Sequence, residues 1–249
     1  MVHNYSKQDL KKSLIKLGLK KNDIIFCHSN IGFFGKMKNV NDKKKLCKIF
    51  FTQILNIIGS EGTLIVPTFS YNFFKKTDFI KNKTVSTMGI FSEYVRKKRG
   101  SLRSNDPNFS VAAFGKKKKY FTDVKTKNTY SNDSFFGKFH KNNGKILNFN
   151  FPGSTILHYY ERILKVDYRF DKKFVGTINN KTEEWIVFSR YLNDKKFIHN
   201  PFKIMNLLRK EKSNNFSYLG NGEIFLIKSL DMFKFLKRKF RKDKRILIS

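Results

Sequence analysis

The sequence predicts a single layered α/β domain over residues 1–249, with a central mixed sheet flanked by helices. Short apolar runs alternate along the chain with longer segments whose apolar residues recur at helical spacing, as in layered α/β proteins. No internal repeat and no linker rich in proline, glycine and serine divides the chain. A length of 249 residues, of which 40% are hydrophobic, is sufficient to bury a large core.

Five segments are predicted to be helices, chiefly from their apolar spacing. Ser6 is a suitable N-cap for the first, and Gly18 can end it. The last helix carries a stripe predicted to face the core, made of Met232, Phe233, Phe235, Leu236 and Phe240. The predicted helices cover residues 6–18, 42–58, 89–97, 155–164 and 229–240.

Five short apolar runs are predicted to be buried strands. The first is followed by a loop that begins at His28, and the second is stopped by Pro67. Residues 69–85 are polar and aromatic and give few signals of regular structure. The predicted strands cover residues 23–27, 63–67, 111–114, 145–149 and 223–228.

The chain is strongly basic, with 52 Lys and Arg residues against 19 Asp and Glu and a net charge of +33. Such a charge suits nucleic-acid binding, because Lys and Arg neutralise phosphates. The enrichment in Lys, Asn, Phe and Ile is also typical of AT-rich coding sequences. The basic runs at 116–119 and 237–245 show no zinc spacing and no RNP-like aromatic pattern. We therefore expect no specific nucleic-acid partner and keep nucleic-acid binding as an alternative.

The predicted location is cytoplasmic, without a membrane span. No apolar run approaches the ~20 residues that cross a bilayer. Residues 1–21 lack the apolar stretch of a signal peptide. The two cysteines, Cys27 and Cys47, form neither a metal pattern nor a disulfide framework.

The chain has five histidines, and two of them are candidates for chemistry. His28 ends an apolar run, where α/β proteins bind ligands, although a structural hydrogen bond explains it equally well. His158 stands three residues before Glu161, so both share a helix face and the carboxylate can orient the imidazole. The alternative is a half-buried histidine beside a solvated glutamate. His3, His140 and His199 are predicted to be surface residues.

Other nucleophile and nucleotide motifs are absent from the sequence. It contains no Gly-x-Ser-x-Gly elbow, no Gly-x-Gly-x-x-Gly and no Walker loop. A thiol nucleophile activated by its neighbour is disfavoured, because adjacent strand residues such as Cys27 and His28 point to opposite faces.

Several short signatures follow one another in a fixed order. They are His28-Ser29-Asn30-Ile31 with Phe34-Gly35, residues 59–70 (Gly-Ser-Glu-Gly-Thr-Leu-Ile-Val-Pro-Thr-Phe-Ser), 87–96 (Thr-Met-Gly-Ile-Phe-Ser-Glu-Tyr-Val-Arg), 103–112 (Arg-Ser-Asn-Asp-Pro-Asn-Phe-Ser-Val-Ala), 134–138 (Ser-Phe-Phe-Gly-Lys), 155–161 (Thr-Ile-Leu-His-Tyr-Tyr-Glu), Tyr168-Arg169, Lys173-Phe174 and Leu219-Gly220-Asn221. In this order they resemble the aminoglycoside 3-N-acetyltransferase family over nearly the whole chain.

The resemblance implies an α/β fold distinct from the GNAT acetyltransferases, acetyl-CoA as donor, an amine as acceptor, and no metal. It implies that His158 is the general base, in a catalytic group with Glu161 and Thr155. It assigns cofactor binding to His28, Ser29, Asn30, Ile31, Gly35, Arg103, Ser104, Ser110 and Val111. It assigns substrate binding to Thr68, Glu93 and Asp106.

The sequence departs from the family pattern at three positions. Asn30 stands where the family usually has the second serine of His-Ser-Ser, and an amide can still donate a hydrogen bond. Asp106 replaces the histidine before the proline of Arg-Ser-x-His-Pro. Because of this replacement, the resemblance does not fix the identity of the acceptor. Phe135 replaces the proline of a Ser-Pro pair.

Charge bears on the acceptor, because a polycationic aminoglycoside would approach against the field of a chain with a net charge of +33. We expect the acceptor to be an amino sugar instead, either free or linked to a nucleotide, in surface-glycan biosynthesis. The alternatives are an aminoglycoside acceptor with antibiotic resistance, and a catalytically inactive binding protein. A homo-oligomer is left open.

Overall fold

A computed structural model describes residues 4–190, 200, 202–211 and 215–248 of the chain. His3 and His199, both predicted to be surface residues, lie outside these ranges. Within them, the helices are α1 (Lys7–Lys16), α2 (Lys43–Ile58), α3 (Gly89–Arg96), α4 (Lys118–Thr122), α5 (Phe135–Lys141), α6 (Leu157–Ile163), α7 (Lys203–Lys210) and α8 (Ser229–Phe240), with a 3-10 helix at Ile31–Phe34. The strands are β1 (Ile24–Ser29), β2 (Thr63–Pro67), β3 (Leu102–Arg103), β4 (Val111–Gly115), β5 (Lys145–Phe149), β6 (Arg169–Ile178), β7 (Lys181–Arg190), β8 (Phe216–Leu219) and β9 (Gly222–Lys228).

Seven strands form one mixed sheet in the order β3-β4-β2-β1-β5-β9-β8. The central strand β1 runs parallel to β2 and β5, and the outer pairings are antiparallel. Strands β6 and β7 form a separate two-stranded hairpin. The predicted mixed sheet flanked by helices is therefore confirmed.

Strand alternation divides the core between the two faces of the sheet. Phe26 of β1 packs into a cluster that includes residues of α5, α6, α7 and α8. Its neighbours Ile25 and Cys27 point the other way, into a cluster with α1, α2 and α3. His28 follows Phe26 by two residues, so its imidazole lies on the α6 face.

The local sequence signals agree with most of these elements. The Ser6 side chain accepts a hydrogen bond from Asp9 N, and the Asp9 carboxylate accepts one from Ser6 N, which closes the capping box before α1. Asp42 caps α2. Of the predicted apolar stripe of α8, Met232, Phe235, Leu236 and Phe240 are buried, and Phe233 is partly buried against the core.

Three predictions were wrong. His28 and Ser29 do not begin a loop but complete β1, because they pair with Asn148 and Phe149 of β5. Thr155 precedes α6, which begins at Leu157. His140 is not a surface residue: it lies on α5, half-buried, with Nδ1 2.9 Å from Ser229 Oγ.

The sequence analysis also missed α4, α5, α7, β3, β8 and the hairpin β6–β7. Charged residues interrupt the apolar alternation of the hairpin, which hides it from a search for buried strands. Its turn carries a clearer signal. Asn179 and Asn180 have φ values of 51° and 63°, and asparagine is favoured in the type I′ turns that join such strands.

Candidate active site

His158 and Glu161 form a hydrogen-bonded pair on α6. The Nδ1 atom of His158 lies 2.7 Å from Glu161 Oε2. The imidazole is 22% exposed and the carboxylate is 0% exposed. The interpretation of Glu161 as a solvated glutamate is therefore wrong, since the helix turns this carboxylate into the core.

Two further side chains hold the buried Glu161 carboxylate. The Tyr168 hydroxyl donates to Oε1 at 2.9 Å, and Arg169 Nε lies 2.9 Å from Oε2. A buried carboxylate stays ionised only with such partners. Glu161 thus presents a fixed negative charge to the imidazole from inside the protein.

Burial, together with the nearby Arg169 guanidinium, lowers the pKa of His158 below its usual 6.5, and the Glu161 carboxylate opposes that shift. The imidazole is therefore neutral at neutral pH. With its Nδ1 proton directed to Glu161, the lone pair of the ring lies on Nε2. This is the protonation state that a general base needs.

A cavity of about 400 Å³ opens beside His158. Its wall is largely aromatic, and all three of its described Lys and Arg side chains come from the hairpin β6–β7. The residues that line it are Phe74, Phe109, Tyr130, His158, Arg169, Lys172, Phe174, Val187, Phe188, Ser189 and Arg190. We call it the His158 cavity.

Thr155 contacts His28 through its side chain. Its hydroxyl lies 3.2 Å from His28 Nε2, and its backbone N–H donates to the same nitrogen at 3.4 Å. The His28 ring stacks on Phe151 at 5.1 Å, and burial lowers its pKa to about 3. His28 is thus a neutral imidazole whose Nε2 atom accepts hydrogen bonds from Thr155, in the segment that precedes α6.

A second cavity, of about 350 Å³, lies where β1 and β5 end. The carboxyl ends of parallel strands are the usual ligand edge of an α/β sheet. Asn30 and Asn150, which directly follow these strands, line it, and Asn30 Nδ2 donates to Asn150 O at 3.2 Å. We call it the Asn30 cavity; its other lining residues are Phe33, Phe151, Pro152, Phe202, Met205, Arg209, Asn221 and Glu223.

The two cavities are connected by a short series of contacts. Phe151 lines the Asn30 cavity and stacks on His28, and His28 contacts Thr155. The Thr155 carbonyl accepts a hydrogen bond from His158 N at 3.2 Å. These contacts connect the wall of the Asn30 cavity to α6, which carries His158.

The predicted cofactor residues are otherwise spread over the fold. Arg103 is buried, and its guanidinium donates to Thr68 O at 2.6 Å and to Ser110 Oγ at 3.1 Å. Gly35 has φ +84°, and a Cβ there would lie 2.3 Å from Asn4 Oδ1. Eight of the nine predicted cofactor residues line neither cavity: His28, Ser29, Ile31, Gly35, Arg103, Ser104, Ser110 and Val111.

None of the three predicted substrate residues lines the His158 cavity. Thr68 is fully buried, with its hydroxyl 3.1 Å from Ser110 Oγ. Glu93 is paired with Arg96 at 2.6 Å; burial would raise its pKa, but its hydrogen bonds outweigh that effect and lower the pKa to about 2. Asp106 accepts from two backbone N–H groups and from the Thr129 hydroxyl at 2.6 Å, while burial raises its pKa.

The sequence analysis gave no role to the residues that surround His158. Tyr168, Arg169 and Phe174 belonged to the family-like segments, but their spacing indicates no function. Tyr130 and Lys172 gave no signal. The turn at Asn179 and Asn180 could have predicted the hairpin, although no local pattern indicates that its strands pack beside α6.

No three His, Cys, Asp or Glu residues come together as a metal site within the described ranges. In the same part of the chain, no helix is both long and apolar enough to cross a bilayer.

A family model described as aminoglycoside 3-N-acetyltransferase matches residues 27–241. No curated protein matches the chain in sequence. Solved structures share its fold at low identity. The AAC-IIIb binary complex with CoASH is 16% identical, with a TM-score of 0.78 over 95% of this chain and 97% of that one. The aminoglycoside acetyltransferase AAC(3)-IVa apoenzyme is 18% identical, with 0.79 over 99% and 92%. YokD from Bacillus subtilis is 20% identical, with 0.76 over 94% and 98%.

The fold and the family model define the class of protein, a CoA-dependent N-acetyltransferase. The chain belongs to the aminoglycoside 3-N-acetyltransferase family. The predicted fold class, enzyme class and acetyl-CoA co-substrate are thereby confirmed. The roles of single residues, the single domain and the oligomeric state stay predictions.

Proposed function

We propose that this protein transfers the acetyl group of acetyl-CoA directly to an amine of an amino sugar, with His158 as the general base. The observation that carries the proposal is the His158–Glu161 pair, with Nδ1 and Oε2 2.7 Å apart, at the wall of a ligand-sized cavity. A partly buried, neutral imidazole oriented by a carboxylate is suited to accept one proton.

An amine at neutral pH is mostly ammonium, and it can attack only after that ammonium proton has been released to water. The neutral amine that attacks carries a further N–H proton, which must leave as the amide forms and therefore requires a base. When bound, acetyl-CoA supplies the thioester that is attacked. His158 takes the proton at Nε2 as the N–C bond forms and returns it to sulfur as the C–S bond breaks. Glu161 stabilises the imidazolium between these events, and Tyr168 and Arg169 hold that carboxylate in place.

The Asn30 cavity fits the pantetheine arm of the donor. Asn150 lines it, and the Asn150 Nδ2 group has no hydrogen-bond partner among the described residues. A buried donor of this kind stabilises a carbonyl placed against it, and pantetheine carries two amide carbonyls. Phe33 and Phe202, 74% and 60% exposed, add apolar surface at the same cavity.

The acceptor is proposed to be an amino sugar, nucleotide-linked in one version, as in surface-glycan biosynthesis. An aminoglycoside is the second candidate, since the family model carries that description. A nucleotide-linked amino sugar carries negative charge, whereas an aminoglycoside carries several positive charges. The cationic side chains that line the His158 cavity favour the amino sugar.

The test replaces His158 by Gln, which removes the base and keeps the ring's approximate size. Since general-base catalysis contributes about 10²–10⁴-fold, we expect kcat for acetyl transfer to fall within that range, with coenzyme A binding unchanged. Turnover is followed by release of the free thiol, and binding by calorimetry.

His140→Gln is the matched control. His140 lies on α5, lines neither cavity and bonds Ser229, a contact that glutamine can keep. We expect its kcat to stay within twofold of wild type. Full activity in His158→Gln would exclude His158 as the base.

A further inference from the structure

We propose that the acceptor carries a negatively charged group, such as a phosphate, and that Lys172 and Arg190 of the hairpin bind this group. The inference rests on the proposed function, because it assigns the acceptor to the His158 cavity. It adds the residues that select the acceptor and the chemical class they select.

The hairpin places both cations at this cavity. Lys172 lies on β6 opposite Val187 of β7, and both line the cavity. Arg190, the last residue of β7, pairs with Arg169, whose side chain holds Glu161. Lys172 is half-buried, which makes its charge more effective than that of a fully solvated lysine.

Aromatic contacts lead from the base to Lys172. The His158 ring contacts Tyr130 at 5.8 Å, and Tyr130 contacts Phe109 at 5.7 Å. Phe109 contacts Phe74 at 5.9 Å, and Phe74 contacts Phe174 at 4.6 Å. Lys172 Nζ lies 5.2 Å from the centre of the Phe174 ring. An acceptor packed along these rings can place its amine at His158 and an anionic group at Lys172.

The charges of the cavity are of one sign. Arg169, Lys172 and Arg190 line it, and no Asp or Glu is among its described lining residues. Arg169 is paired with Glu161. Neither Lys172 nor Arg190 has a carboxylate within ion-pair distance in the described part of the chain. These two cations would attract an anion that enters the cavity and repel a polycation.

The neighbouring Lys173 provides the contrast. It lies on the opposite face of β6, its side chain is 69% exposed, and it pairs with Glu184 at 3.1 Å. The same strand therefore has one lysine paired at the surface and one unpaired lysine directed into the cavity.

The experiment compares wild type with Lys172→Gln, Arg190→Gln and the double variant, and uses Lys173→Gln as the control. The acceptors are glucosamine, glucosamine 6-phosphate, UDP-linked glucosamine and kanamycin. We expect wild type to prefer a phosphate-bearing acceptor over glucosamine and kanamycin. In the double variant KM for that acceptor should rise about 10–100-fold, the loss of two charge-assisted contacts. This rise should exceed any change in KM for glucosamine, and Lys173→Gln should match wild type.

The two phosphate-bearing acceptors distinguish the possible sources of the negative charge. Preference for glucosamine 6-phosphate indicates a monoester, and preference for the UDP-linked sugar indicates a nucleotide. Faster wild-type turnover of kanamycin, or an equal loss on glucosamine in the double variant, would overturn the inference while leaving His158 as the base.

A failure of the proposed function is distinguishable. If no amine is acetylated by wild type, calorimetry of glucosamine 6-phosphate with wild type and the double variant still tests the anion site. Binding that the double variant loses and Lys173→Gln keeps would support the site; equal binding by all three proteins would exclude it.

Discussion

At the residue scale, one carboxylate organises the proposed base. Glu161 has three partners: the His158 imidazole, the Tyr168 hydroxyl and the Arg169 guanidinium. Each approaches from a different position in the chain, so the carboxylate is fixed in direction as well as charge. Arg169 also lowers the pKa of His158, which Glu161 raises. The net effect is a lowered His158 pKa, so the imidazole remains neutral at the pH where it must act as a base.

The pH dependence of kcat tests this balance. Because the His158 pKa lies below 6.5, activity in wild type should fall with decreasing pH only below that value. In Glu161→Gln the imidazolium loses the carboxylate that favours it, so the acid limb should move to lower pH and the plateau should drop. The measurement is kcat against pH at saturating acceptor.

Far-ultraviolet circular dichroism of Glu161→Gln serves as the folding control, because Arg169 loses its buried partner in this variant. A limb that stays in place, or moves to higher pH, would contradict the role given to Glu161.

At the scale of elements, the hairpin β6–β7 decides what the His158 cavity can bind. It contributes Arg169, Lys172, Phe174 and Arg190 to the wall. Two isolated bridges, Phe79 with Ile178 and Asn128 with Ile186, connect it to the rest of the fold. A change in its turn should therefore affect the acceptor more than acetyl-CoA.

Asn180 tests this connection, because its φ of 63° lies in the left-handed region. Asn180→Val should destabilise the protein by roughly 1–2 kcal/mol, the cost of a β-carbon with two branches in that conformation. KM for the acceptor should rise, with KM for acetyl-CoA unchanged. Thermal unfolding and steady-state kinetics provide the two readouts.

Asn180→Gly is the matched variant, since glycine adopts this conformation without strain. It should unfold within a few degrees of wild type and keep its kinetics. Equal stability and kinetics of the valine and glycine variants would show that the turn at Asn180 does not determine the conformation of the hairpin.

The predicted elements differ from the observed ones in a consistent way. Strands with continuous apolar runs, such as β2 and β5, were predicted with their observed bounds. Strand β1 was predicted too short, because His28 and Ser29 look like loop residues until their pairing with β5 is known. The hairpin was missed because charged residues interrupt its apolar alternation.

At the scale of the whole molecule, the buried Arg103 ties the segment between β2 and α3 to the sheet. Its guanidinium donates to the carbonyls of Thr68, Lys81 and Thr84 and stacks on Phe79 at 4.9 Å. That segment carries Phe74 of the His158 cavity. These contacts favour a structural role, and cofactor binding by Arg103 stays a prediction.

Arg103→Met separates these roles. The variant removes the Arg103 donor from the part-buried carbonyls of Lys81 and Thr84, whereas Thr68 O keeps the Ser110 hydroxyl, so unfolding free energy should fall on the order of 3 kcal/mol. If the role is structural, KM for the acceptor should rise more than KM for acetyl-CoA. Denaturant unfolding and the two KM values are the measurements.

Arg99→Met is the control, because Arg99 is exposed and a surface substitution changes stability by about 0.5 kcal/mol at most. A rise confined to KM for acetyl-CoA in Arg103→Met would instead support the cofactor-binding assignment.

The sequence by itself determined what local geometry fixes. Apolar spacing set most helices and buried strands, and three-residue spacing on a helix brought His158 to Glu161. Tertiary structure alone decided the rest: His28 meets Thr155 across 127 residues of chain, and the hairpin packs beside α6 to close the cavity. The physical reason is range, since periodicity reports only on residues within a few turns of each other. Contacts between distant segments follow from how the whole chain buries its apolar surface.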